Sequence, residues 1–184
     1  MRRLYFEQVR IYRNSYQQTE TSVAWRVTTN SSEQLPNYIF VAFQLQAKYG
    51  SQEANPVVFD AGTLSRISCW INSTRFPDRE LDVSFAAASR NYGRAYMMFQ
   101  EAISKYNDTD SGSQVSVEDY ASLFPIFAFN VSHHKESLRG GSADVEIRWT
   151  LSANFGGHDH VYAMVLRDRY LQLNGLNGKM EVIV

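Results

Sequence analysis

Cysteine is almost missing from this 184-residue chain. Cys69 stands alone, so no disulfide can close within it. Charge of one sign is missing too: 18 Lys and Arg stand against 19 Asp and Glu, scattered along the chain, for a formal net charge of -1. That balance excludes the basic stripe that a phosphate backbone requires and predicts no direct nucleic-acid partner. No apolar run approaches the roughly 18 residues of a membrane span, which predicts no membrane partner. The opening residues, MRRLYFEQ, have no apolar core of signal-peptide length, so a product of the cell interior (cytoplasm or nucleus) is expected and not a secreted one. Internal repeats, low-complexity tracts and long charge runs are likewise absent from the sequence.

Aromatic residues are plentiful. They make up 14% of the chain, with 11 Tyr and 11 Phe, a composition that favours strands. Period-two alternation is clearest in SADVEIRWTLS, where Ala143, Val145, Ile147, Trp149 and Leu151 share one face and Asp144, Glu146, Arg148 and Thr150 the other. The same pattern recurs over Val23–Val27, Ile39–Leu45 and Ile67–Ile71, and further strands are predicted near Tyr5–Tyr12, Ile126–Val131, Val161–Arg169 and Met180–Val184. Turn chemistry fills the gaps, for example at Gly50-Ser51, Asn55-Pro56, Gly140-Gly141 and Asn174-Gly175. About eight strands so separated predict a mainly β fold, an eight-stranded antiparallel sandwich or barrel. Residues 1–184, a length that buries about two-thirds or more of the unfolded surface, are expected to form a single domain.

One stretch breaks the rhythm. From Ser89 to Tyr106, apolar residues (Tyr92, Ala95, Tyr96, Phe99, Ala102, Ile103, Tyr106) recur at three- and four-residue spacing, which predicts an amphipathic helix in spite of Gly93. After a polar loop, Ser116 reads as the N-cap of a second, short helix with Glu118 and Asp119 in its first turn, ending before Pro125. The expected helical insertion thus covers about 89–124.

Several residues invite a functional reading. His133 and His134 end one predicted strand and His158 and His160 begin another, so four imidazoles could meet at one rim and hold a metal, as a His-x-His pair does in cupins. No carboxylate follows that pair until Asp168, and a polar loop accounts for it more simply. Cys69 alternates with Ile67 and Ile71 on a face that should be buried, where a thiol is an inert small hydrophobe. Asp78, Glu80 and Asp82 flank Leu81 and Val83 as the solvated face of a strand. No nucleophile elbow and no Walker or dinucleotide fingerprint is present. Catalytic, cofactor and metal residues are therefore expected to be none.

Four glycosylation sequons begin at Asn30, Asn72, Asn107 and Asn130, and without a leader they carry little weight. In the stretch INSTRFPDRELDV, Asn72-Ser73-Thr74 is expected to close one strand. Pro77, lacking an N–H, should then interrupt the ladder before the next strand at Glu80–Val83.

Taken in order, Tyr38–Gln44, Val58-Phe59-Asp60, Trp70-Ile71-Asn72-Ser73, Phe76-Pro77, Glu80-Leu81-Asp82-Val83 and the Tyr96–Tyr106 helix resemble double jelly-roll major capsid proteins of Polinton (Maverick) elements and adintovirus-like DNA viruses. Asn130-Val131-Ser132, Ala143–Ile147 and Tyr162–Arg169 are similar to that family's later strands. The resemblance implies a jelly roll corresponding to the second, C-terminal one of the pair, with helices inserted after the sixth strand. It further implies a structural capsid protein, not an enzyme, located in a virion, that self-associates as a trimer or higher assembly or packs with a sister jelly roll. The alternative is a stand-alone jelly-roll binding module or cupin-like metal protein using the histidines.

Overall fold

The computed structural model describes residues 2–15, 20–27, 36–48, 52–107, 112–133, 144–153, 158–173 and 180–183. Nine strands and two α-helices occur among them. In chain order these are β1 (Arg2–Ser15), β2 (Ser22–Val27), β3 (Tyr38–Leu45), β4 (Leu64–Ile71), β5 (Thr74–Asp82), α1 (Gly93–Asn107), α2 (Val117–Ser122), β6 (Phe127–Asn130), β7 (Val145–Leu151), β8 (His158–Leu173) and β9 (Met180–Ile183). Strand β9 lies where a strand was expected, at Met180–Val184, and pairs only with the far end of β8, past the point where β3 stops.

Every pairing is antiparallel. One sheet runs β1-β8-β3-β6, with β9 beside β8, and the other runs β2-β7-β4-β5. Consecutive strands mostly change sheet, so apart from β4-β5 and β8-β9 the paired strands are distant in sequence. That connectivity makes the sandwich a jelly roll.

Alternation decides what lies between the sheets. Val145, Ile147, Trp149 and Leu151 of β7 are buried as their period predicts, while Arg148 points outward. Ile39, Val41 and Phe43 of β3 meet them from the other side. Phe43 bridges the layers: its ring stands edge-on to Trp149 at 5.6 Å and to Phe127 at 6.2 Å, the geometry that opposed ring quadrupoles favour.

The helices lie between β5 and β6, one strand earlier than the resemblance implied. Those strands edge different sheets, so the chain must cross the open side of the sandwich there, and the crossing has room for an excursion. Helix α1 turns Ala95, Phe99 and Ala102 inward and packs against β6. It begins at Gly93 instead of Ser89, because the preceding backbone is held by a bridge between Ser84 and Asn91. At α2, Ser116 caps as its sequence signature predicts: its Oγ accepts the Asp119 N–H at 3.0 Å.

The INSTRFPDRELDV stretch departs from expectation at its turn. Ile71 pairs directly with Thr74, leaving Asn72 and Ser73 as a two-residue turn, both at positive φ (45° and 71°), as a type I′ hairpin requires. Strand β5 therefore starts at Thr74, and its ladder with β4 breaks at Pro77 as expected: Phe76 pairs with Cys69, and pairing resumes only at Leu81 opposite Ile67. The break is tolerated because β5 is the sheet's edge, where a proline without an N–H can be accommodated. Asn72 braces the turn by exchanging hydrogen bonds with the Asp144 backbone, accepting through Oδ1 at 2.9 Å and donating its own N–H at 3.1 Å.

Candidate functional site

The side chains of β3 that turn away from the second sheet (Phe40, Ala42, Gln44) lie beside Tyr162 and Met164 of β8 on the outer face of the first sheet. Helix α1 stands over one side of that face through Phe99 and Ile103, and Ile11 of β1 borders it on another. Between them lies a groove of about 620 Å³.

The polar groups of the groove are already engaged. Tyr162 donates its hydroxyl to Gln44 Oε1 at 2.8 Å, Gln44 Nε2 donates to the Pro56 carbonyl at 3.0 Å, and Lys48 Nζ to the Val58 carbonyl at 3.2 Å. What the groove presents is therefore hydrocarbon, suited to apolar contact and without a group placed for bond-making chemistry.

Beyond the groove, the outer face continues along β1. Leu4 and Tyr5 are neighbours that must point to opposite faces, yet they are 65% and 70% exposed, so the first residues of β1 extend past the cover of the second sheet. Val9 and Ile11 are exposed further along. Glu7 faces Asp168 across the ladder. Burial raises the Glu7 carboxyl above its ordinary value; a hydrogen bond from the Tyr106 hydroxyl opposes that rise and the Asp168 charge adds to it. The last turn of α1 is thus tied to the edge strand.

The histidines among the described residues do not gather at one rim. His160 lies opposite Gln44 at one end of β3 and is buried, with Nδ1 3.1 Å from Ser15 Oγ, and His158 pairs with Leu45 beside it. His133 follows β6, whose Asn130 lies opposite Tyr38 at the other end of β3, about 20 Å away at ~3.3 Å per residue. One ion cannot span that distance, so the shared rim inferred from sequence is not formed by these positions. His134 lies outside the described residues, as does the sequon at Asn30. Among the described residues no three His, Cys, Asp or Glu side chains are grouped as metal ligands.

Cys69 is fully buried, and loss of hydration pushes its thiol far above the ordinary range, away from the reactive thiolate. On β5, Glu80 pairs with Arg75 at 3.6 Å and Asp82 with Arg66 at 3.1 Å, both near solvent. Asn130 Oδ1 accepts from Ser132 N–H and Oγ, a local turn that occupies the sequon's amide. Sequence reasoning missed Arg167, which is buried. The signal existed: Val161, Ala163, Val165 and Arg167 occupy successive inward positions of β8.

Fold and faces together define a jelly-roll sandwich with an apolar outer face and a long exposed edge strand. The chain belongs to the double jelly roll-like domain family, whose model matches residues 3–171. Among solved structures it is similar to a chain of the Sputnik virophage, determined by cryo-EM at 3.5 Å, with a TM-score of 0.58 and 10% identity. The likeness covers 99% of this chain and 39% of that one, so the present chain spans well under half of the other's length. No curated protein matches it.

Proposed function

We propose that this chain is a structural building block of a viral or virus-derived shell. In this reading residues 1–184 form a single jelly-roll domain that self-associates or packs against a sister jelly roll, equivalent to the second roll of a Polinton-type or adintovirus-like capsid protein. It acts in the virion and catalyses nothing. Membership of the double jelly roll-like family carries the proposal, and the likeness of fold to a chain of a virophage particle supports it. The exposed apolar side chains of β1 and the hydrocarbon groove suit contact with another protein surface.

Native mass of the purified chain, by light scattering with negative-stain images across protein and salt concentration, tests it. Trimers, rings or shells are expected. A chain that stays monomeric at every concentration, alone and mixed with a sister jelly roll, overturns the proposal. So does a stoichiometric transition metal that is lost on His158→Ala.

A further inference from the structure

Among the described residues, strand β1 is the longest regular edge of the sandwich. It is 14 residues long, about 46 Å at ~3.3 Å per residue, and lies at the end of its sheet. Its ladder with β8 runs without a register shift from Arg2 opposite Leu173 to Ser15 opposite His160, and no proline interrupts it. The other edges are blunted in the ways natural sheets use. Strand β5 carries Pro77 and a register shift against β4, β2 has six residues, and β6 and β9 have four each. A long, regular edge with exposed Tyr5, Val9 and Ile11 is a template for one more strand.

The charge pattern selects that strand. In an antiparallel pair, adjacent residue pairs alternate between hydrogen-bonded and non-bonded, so a two-fold axis must pass through a residue facing its own counterpart. Centred on Glu7, the pairing sets two carboxylates against each other; centred on Gln8, it sets Arg3 against Arg13; centred on Arg10, two guanidiniums meet. Centres at Val9 and at Ile11 both avoid these conflicts, and Val9 pairs the longer run of the strand. Val9 meets Val9, Glu7 meets Ile11, Arg10 meets Gln8, Arg13 meets Tyr5 and Phe6 meets Tyr12, over Arg3 to Ser15 of each strand. Like charges directly opposite destabilise a sheet, whereas aromatic and β-branched pairs stabilise it.

We infer that two copies of this chain pair through β1, antiparallel about a two-fold axis at Val9, joining their first sheets into one continuous sheet. The inference rests on the self-association proposed above and names the surface that performs it.

Sedimentation equilibrium of the full chain, of Val9→Lys, of Val9→Glu and of an equal mixture of the two variants tests it. The wild type is expected to dimerise. Each variant alone sets like charges at the axis and should dissociate about tenfold more readily, whereas the mixture, with Lys facing Glu, should dimerise again. Val9 is 44% exposed, so both variants should fold, which circular dichroism checks. Hydrogen exchange of the wild type supplies a second readout: outward β1 amides should gain protection as concentration rises. A wild type without dimers, or dimers indifferent to both substitutions, overturns the pairing. Trimers or shells that survive in Val9→Lys would overturn it while leaving the shell reading intact. Charge-swapped dimers that never build further would support it while removing that reading.

Discussion

Phe43→Leu tests the account of the core most directly. Phe43 is 1% exposed and joins the two sheets through its edge-on contacts with Trp149 and Phe127. Leucine keeps most of the buried volume but removes both ring pairs, each contributing about 0.5–1.5 kcal/mol beyond area. The smaller side chain also leaves a void whose transfer and cavity terms add about 1 kcal/mol. The expected loss is about 2–4 kcal/mol, which for a chain of this length lowers Tm by about 2–4 °C per kcal/mol. Urea titration followed by tryptophan fluorescence and by far-ultraviolet circular dichroism measures it, since Trp149 reports the interface itself. Met97→Leu, on the exposed side of α1, is the reference and should change stability by less than about 0.5 kcal/mol. A Phe43→Leu loss under about 1 kcal/mol would refute the idea that this ring couples the layers.

Other outcomes follow from local geometry. Ser116→Ala removes the oxygen that accepts the Asp119 N–H and should lower stability by about 1 kcal/mol, with faster amide exchange confined to α2. At Gly112, φ is +63° and an added Cβ would sit 2.7 Å from Gln100 Oε1, so Gly112→Ala should destabilise by about 1 kcal/mol or more in the same urea titration. The Arg148 hydrogen bond, aided by its charge, holds the Glu146 carboxyl below its ordinary value. That contribution is present above the unfolded carboxyl's range and is lost as pH falls through the folded value. Glu146→Gln should therefore lower the urea midpoint slightly at pH 7 and leave it unchanged near pH 2, the effect staying small because the pair is partly solvated. Cys69 should react with a thiol reagent only at the rate of unfolding; fast labelling of the native chain would contradict its burial.

Much of this fold was legible in the residues, and the losses have physical causes. The alternation in Val145–Leu151 and the cap at Ser116 were read correctly because each is a local rule obeyed locally. Strand β1 was expected over Tyr5–Tyr12 and extends to both sides of that range, because its length is set by the ladder with β8 and not by its own pattern. The hairpin at Asn72-Ser73 was expected only as a strand end, whereas the break expected at Pro77 does occur in the ladder. Asn-Ser is a weaker signal for positive φ than Asn-Gly, so the tightness of that turn was not legible. The groove has no linear signature, since its walls come from β1, β3, β8, α1 and the intervening loops. The separation of His133 from His158 and His160 was not legible, because only strand register reveals that the end of β6 and the start of β8 lie at opposite ends of β3.

The unbroken β1 to β8 ladder also constrains how the chain is made. Ser15 and His160 touch across 145 residues of sequence, and every other rung of that ladder closes a longer loop. During synthesis, the first strand to emerge must wait for the eighth. Sheet β2-β7-β4-β5 also remains open until β7 appears, so neither layer can close on the ribosome before most of the chain has been translated. Topology of this kind folds slowly and leaves an apolar strand exposed meanwhile, the condition in which a partly made chain is most prone to aggregate.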